Sequence, residues 1–250
     1  HGPFIDHHQN SGDFYTVSIE DEIKGVFVLT LRGNILFQLD QEVRSQKILR
    51  FLSKNIDITI KGVLGDDIRA VELWSLIKNQ NSKIKERFKS SEILYTLSPS
   101  LTQFSDIPHS RLFSATDFAT FLNFTKGFYQ DLKLRDTSSD EQYKERFDYK
   151  VKHQQIWCLE YANEVVSMCA LNAKYKNIAQ VGGVYTSQEH RSKGYSKKCM
   201  GKLIHDCLSI HAIEKIILFT AADNIPAQKV YEKLGFERVG YYGMYFGEIE

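Results

Sequence analysis

The residues best suited to chemistry are Arg191-Ser192-Lys193-Gly194-Tyr195-Ser196. They form a short segment between the apolar run Val181-Gly182-Gly183-Val184-Tyr185-Thr186 and a helical pattern that begins at Tyr195. A loop that feeds successive backbone N–H groups into a helix N-terminus suits phosphate, because unpaired donors and the positive end of the helix dipole point the same way. Gly194 lets the main chain come close to a ligand. From Arg191 to Lys202 there are five cations, Arg191, Lys193, Lys197, Lys198 and Lys202, and no acid. The 250-residue chain as a whole has 32 Lys and Arg against 31 Asp and Glu, so the excess is local. The same balance argues against a broad electrostatic footprint for nucleic acid or an anionic membrane. Lys197, Lys198 and Lys202 read as the solvated face of the helix. The loop fits neither the nucleoside-triphosphate pattern nor the three-glycine dinucleotide fingerprint.

A second motif, Asn224-Ile225-Pro226-Ala227-Gln228-Lys229-Val230-Tyr231-Glu232-Lys233-Leu234-Gly235-Phe236, follows about thirty residues later. Asn224 before Pro226 has the spacing of a helix N-cap. Tyr231 has the spacing of a packed amphipathic side chain with a wet tip. Together the two segments resemble the main motifs of the GCN5-related N-acetyltransferase superfamily. Arg191-x-x-Gly194-x-Ser196 meets the family's phosphate-loop pattern Arg/Gln-x-x-Gly-x-Gly/Ala, with Ser196 as a departure at the last position. The resemblance implies acetyl-CoA as co-substrate and no metal. It places the pantetheine arm against Val184, Tyr185 and Thr186, and the pyrophosphate on Arg191, Ser192, Lys193, Gly194, Tyr195 and Ser196. Asn224 and Ala227 match further cofactor-contacting positions, and Tyr231 matches the general acid that protonates the departing thiolate.

The mechanism so implied is direct attack of an amine on the thioester, with a backbone N–H near Val184 steadying the oxyanion. Model phenol and thiol pKa values of about 10 and 8.5 make the proton transfer from Tyr231 only weakly driven, so its positioning matters. Cys199 and Cys207 lie on a helical apolar stripe and are not nucleophiles. The strand pattern Ile178 to Tyr185 has no carboxylate to act as base. Glu160, Glu189, His190 or a water chain are substitutes, and none is assigned. The resemblance implies a small-molecule or peptide amine as acceptor. The alternatives are a CoA-binding sensor or interaction module on the same scaffold, and a tandem-domain aminoacyl or peptidyl transferase.

The elements that must position these residues follow from periodicity. Phe14 to Ile19, Val26 to Leu31 and Ile35 to Leu39 read as a strand meander, and Gln41 to Lys54 as a helix. Ile56, Ile58 and Ile60 alternate as a strand. Gly62-Val63-Leu64-Gly65 leads into a helix with Ala70, Leu73, Trp74 and Ile77 on one face, and Ile93 to Leu97 is a short strand. The polar stretch Ser98 to Ser110 holds Pro99 and Pro108 and reads as a linker, with the boundary near Ser100. Arg111 to Ser114 is strand-like, and a helix from Thr116 carries Phe118, Phe121, Leu122, Thr125 and Phe128. Ser138 and Ser139 then offer capping boxes with Glu141 and Gln142. Strands Gln155 to Tyr161, Val165 to Asn172 and Ile178 to Tyr185, the helix from Tyr195, strand Lys215 to Thr220, the helix from Pro226 and strand Phe236 to Phe246 complete the chain.

The sum is a mixed-sheet α/β (α+β) chain, and the resemblance implies an acyl-CoA N-acyltransferase fold with a smaller degenerate acetyltransferase-like domain at 1–100 and a catalytic domain at 101–250. If the first domain is a degenerate copy, its phosphate loop falls at Asp40-Gln41-Glu42-Val43-Arg44, where two acids and no glycine predict no CoA binding. Its expected work is to wall the acceptor site. Aromatic alternation puts Tyr241 and Tyr245 on one packed face. Four cysteines without metal-ligand or redox-motif spacing suit a reducing compartment, the cytoplasm, and no apolar run is long enough to span a membrane. The chain begins at His1, not methionine, and is read as trimmed.

Overall fold

In a computed structural model, residues 12–55, 59–100, 104, 107–132 and 138–249 are described. The chain divides into two compact units, each discontinuous in sequence. Of the described residues, the first unit takes 12–94 together with Phe219–Asn224 and 238–249; the second takes those within Tyr95–Leu218 and Ile225–Glu237.

The first unit begins with the meander β1 (Gly12–Ile19), β2 (Glu22–Thr30) and β3 (Asn34–Leu39). Glu20 and Asp21 both take positive φ, the two-residue turn that matches strand twist. The expected helix from Gln41 starts later, as α1 (Ser45–Asn55), because Asp40 captures the chain in a turn. Its Oδ1 accepts from Glu42 N–H at 3.2 Å and its carbonyl from Val43 N–H at 3.1 Å. Gly62-Val63-Leu64-Gly65, read above as the lead into a helix, is itself strand β4 (Gly62–Asp66). It pairs in parallel with β3, Ile35 facing Val63. Ile60 lies outside any strand, and Ile56 and Ile58 fall outside the described residues. Asp66 caps α2 (Asp67–Gln80) by accepting from Arg69 N–H at 3.2 Å, and the buried face is Ala70, Leu73, Trp74 and Ile77 as periodicity predicts.

β5 (Ile84–Leu97) is far longer than its apolar end, since Lys85 to Glu92 are too polar to signal a strand. β11 (Glu237–Ile249) returns beside β4, with Tyr242 opposite Asp66 and Phe246 opposite Gly62. Phe27, Ile35, Val63, Leu73, Trp74 and Tyr245 share the core of this unit. Tyr241 is 55% exposed whereas Tyr245 is 3% exposed, so the expectation of one packed face is corrected. Alternation sets the side a residue takes, not whether anything covers it.

In the second unit β6 (Ser110–Leu112), β7 (Ile156–Tyr161), β8 (Glu164–Tyr175) and β9 (Ile178–Thr186) form an antiparallel run, and β10 (Lys215–Ala221) adds in parallel to β9. α3 (Phe118–Asp131) and α4 (Asp140–Lys152) bury Phe121, Phe124, Tyr143 and Phe147 against Ile156, Met168 and Ala170. A short 3-10 turn, Ala115–Asp117, occupies the expected start of α3, with the Ser114 and Asp117 side chains and backbones paired as a capping box. Of the two boxes predicted at the next helix, Ser139 with Gln142 is formed. α5 (Tyr195–Ser209) buries Cys199, Met200, Leu203, Ile204 and Cys207, and it packs on β7 and β8. α6 (Ile225–Lys233) precedes β11 and buries Gln228 and Tyr231.

Candidate functional site

β9 changes character halfway along. Its parallel ladder with β10 joins Ile178–Val181 to Lys215–Leu218 and ends there. On the other edge, Ala170 faces Gly182 and Met168 faces Tyr185, so β9 has one residue more than β8 in that interval. This is a β-bulge, and it sharpens the local twist. Gly183 supplies it with φ +60, and a Cβ built there meets no atom within 4 Å. Beyond the bulge, Tyr185 carbonyl accepts from Ser167 Oγ at 3.0 Å, and Ser187 N–H donates to Val166 carbonyl at 3.2 Å. Both point toward β8. Successive residues of a strand aim their polar groups at opposite edges, so those of Val184 and Thr186 face the side the β10 ladder has left. Thr186 carbonyl there accepts from Arg191 Nε at 3.1 Å.

The loop follows directly. Ser187 and the 3-10 turn Gln188–His190 lead to Arg191, whose own N–H closes the turn onto Gln188 carbonyl at 3.3 Å. Ser192 has φ +63 and Gly194 φ +78, with Lys193 between them, a backbone of the kind that turns successive N–H groups into one concavity. Gly194 is the left-handed N-cap of α5, and the N–H groups of Tyr195, Ser196 and Lys197 are in its first turn. A Cβ at Gly194 also meets nothing within 4 Å, so φ, not space, requires glycine. Arg191, Ser192, Lys193 and Gly194 are exposed, and Tyr195 is buried against Tyr161 and His190. Arg191 forms an ion pair with Asp131 at the end of α3 and lies over the Tyr185 ring at 5.5 Å. Its side chain thus braces the loop, and Lys193 Nζ donates to Glu189 carbonyl at 3.1 Å.

Lys197 and Lys198 are exposed as expected, but Lys202 is corrected. It pairs at 3.1 Å with Asp206, which is buried and also accepts from Trp157 Nε1 at 2.8 Å. Periodicity had not marked Asp206, because an acid on an apolar stripe gives no sign of the cations that will reach it.

Tyr231 is held by the end of α6. Gly235 takes φ +88 and donates to Glu232 carbonyl at 3.0 Å; Phe236 N–H reaches back to Tyr231 carbonyl at 3.0 Å. These are the two bonds of a Schellman stop, and the ring contact between Tyr231 and Phe236, 6.0 Å between centroids, is its apolar clasp. Tyr95 packs on the other side at 6.0 Å and hydrogen-bonds Glu232 at 3.0 Å. The ring is 6% exposed. Asn224 comes immediately before α6, its N–H bonded to Ala221 carbonyl at 3.0 Å, and Ala227 is half-buried one turn into the helix.

The base candidates separate. Glu160 is occupied by Arg111, with Oε1 2.6 Å from Nη2. His190 Nδ1 lies 2.9 Å from Ser187 Oγ beside the exposed Glu189. Two residues that sequence reasoning missed lie at a second bulge, on β8, between Leu171 and Ala173. Asn172 lays its carboxamide where a side chain at Gly182 would stand, and Lys150 Nζ donates to Leu171 carbonyl. Burial lowers the Lys150 ammonium to about 8. All four cysteines are free and buried, and burial pushes Cys158 and Cys207 up to about 12, the opposite of a nucleophile's environment. Among the described residues no group of three or more His, Cys, Asp or Glu is arranged to hold a metal ion, and no helix is long and apolar enough to cross a membrane.

A bulged strand leaving its parallel neighbour, a left-handed glycine opening a helix, and a tyrosine fixed on the helix after the next strand define a class. The profile of the Acetyltransferase (GNAT) family matches residues 121–236, which take in all three features. Over that region, a little under half of the chain, the sequence is similar to this family. A segment of 54 residues is 41% identical to an uncharacterized N-acetyltransferase of Bacillus subtilis, YjdG, covering 22% of this chain and about a third (32%) of that protein. A GNAT-family acetyltransferase from Colwellia psychrerythraea aligns over 96% of this chain and 86% of its own, with TM-score 0.60 and 13% identity. A GCN5-related N-acetyltransferase from Sphaerobacter thermophilus aligns over 96% and 81%, with TM-score 0.63 and 11% identity. At such identities the structural likeness defines the fold, the acyl-CoA N-acyltransferase fold expected from the motifs.

Proposed function

We propose that the protein is an acetyl-CoA-dependent N-acetyltransferase acting on a primary amine of a small molecule or peptide. The observation that carries the reading is the pairing of the Gly183 bulge with the Gly194 helix start: both have positive φ and open space at the missing Cβ. The backbone from Ser192 to Ser196, exposed as far as Gly194, fits a pyrophosphate, and the outer edge of Val184 and Thr186 fits an amide-bearing arm. Bound acetyl-CoA supplies the activated acetyl group. A backbone N–H near Val184 steadies the oxygen as the amine attacks the thioester carbonyl, and the carbon–sulfur bond then breaks. Tyr231 gives its phenolic proton to the departing sulfur. The deprotonated amine is reached through water or His190, since β9 offers no carboxylate. The four free thiols support a reducing compartment, the cytoplasm. The first domain, on this reading, does not bind CoA.

Thermal unfolding with and without acetyl-CoA, using ATP and NAD as controls, tests the foundation. A ligand at 100 times its dissociation constant adds about 2.7 kcal/mol, a rise of about 5–10 °C for a chain this size. A shift with acetyl-CoA alone supports the donor site. No shift at millimolar acetyl-CoA overturns it.

A further inference from the structure

Three cations of the first unit share one side of a helix that itself contains no acid. Arg44, just before α1, and Lys47 and Arg50 within it recur every third residue, a stripe about 9 Å long at 1.5 Å of rise per residue. Among the described residues none of these side chains has an ion-pair or hydrogen-bond partner. They line a cleft of about 690 Å³ together with Arg69 and Glu72. Arg69 is aimed by a bond from Nη1 to Val43 carbonyl at 2.6 Å. Glu72 is already engaged, with Oε2 2.7 Å from Ser45 Oγ and Oε1 3.3 Å from Gln46 Nε2.

Cations spread over a convex surface are solvated and need no ligand. Cations that converge on a concavity repel one another, and the low-dielectric walls focus their field on whatever enters. The size of the cleft suits a small molecule, and Val43 and the exposed Ile68 give it an apolar wall. An adjoining cleft shares Gln41, Ile68 and Arg69 but carries Asp40, Glu42 and Asp66. Those acids bound the basic patch and would repel a long polyanion running past it. Guanidinium groups match phosphoryl oxygens as two-pronged donors, with lysine as a point charge between them. We propose that this cleft binds a small phosphate-bearing molecule, at residues separate from the proposed acetyl-CoA loop. The sequence had marked Asp40 to Arg44 by its two acids; the cations on the following helix reverse the local sign.

The test is calorimetric titration of the full chain with inorganic pyrophosphate at low salt, for the wild type and for Arg44→Ser/Lys47→Ser/Arg50→Ser. Binding at the loop before α5 is common to both proteins and cancels in the comparison. The expected result is at least about a tenfold loss of affinity, or loss of one site, in the triple variant, with sulfate a much weaker ligand. Identical isotherms, no binding by the wild type at millimolar pyrophosphate, or equal binding of sulfate would each overturn the proposal. Should the triple variant melt early, the exposed single change Lys47→Glu gives the same comparison.

Discussion

The ring of Tyr231 packs against Tyr95 and Phe236, and phenylalanine would keep those contacts while removing only the hydroxyl. Tyr231→Phe is therefore expected to leave the acetyl-CoA-dependent thermal shift intact and to lower kcat by about 10²–10⁴, the usual share of a general acid. Unchanged turnover in an acceptor assay would remove the acid assignment. Asp117 makes a different prediction. Its carboxylate takes Arg111 Nη1 at 2.7 Å and Nη2 at 3.0 Å, and these bonds hold its pKa down to about 2, against 3.8 ordinarily. A depressed carboxylate gives stability that is complete above the unfolded value and is lost as pH falls from about 4 through about 2. Asp117→Asn should cost about 1 kcal/mol at neutral pH, since the pair is partly solvent-screened, and should flatten the acid limb of a melting-temperature profile. At this scale the helical place of Tyr231 and the helix start at Gly194 were legible because their motifs are local. Asp206, Asn172 and Lys150 were not, because what matters about them is a partner from another element.

Two glycines test the elements. Gly194 is the left-handed start of α5, and alanine there meets no atom but carries about 1–2 kcal/mol of backbone strain. Gly194→Ala should weaken acetyl-CoA binding about tenfold or more while the protein still folds, read by ligand-dependent melting. Gly127 acts at a distance from the loop. A Cβ on it would fall against the Tyr185 hydroxyl from within α3, and Arg191 lies on the same ring. Gly127→Ala should therefore push Tyr185 aside and loosen the Arg191 brace, lowering acetyl-CoA affinity without touching the phosphate loop itself. Helix faces and the β7–β9 meander were visible as periodicity. The bulge that opens β9 was not, for register is decided by pairing with β8, which a single strand cannot display. Nor was β4, whose two glycines and single acid imitate a turn.

For the molecule as a whole, the division into units matters more than a linker near Ser100. The chain passes between the units within β5 and β10, around Asn224 and at the start of β11. No single cut yields either unit entire. A natural test of the first domain, removal of residues 1–97, would strip β11 of β4 and expose the buried Tyr245. Changes in its surface are the better probe. The converse truncation carries a prediction: a chain stopped at Glu237 should lose hydrogen-exchange protection through β3 and β4, while α3, α4 and the β7–β8 pair stay protected. Equal protection in both regions would contradict the division. Nothing local announced this arrangement, because Tyr242 and Asp66 are joined only by folding. The same pairing has a consequence for synthesis. About 170 residues separate β4 from its neighbour β11, so α1 and α2 must wait on an unfinished sheet while the intervening chain emerges. Until β11 arrives, that flank of β4 stands as an open strand edge, the kind of surface to which other extended chains add.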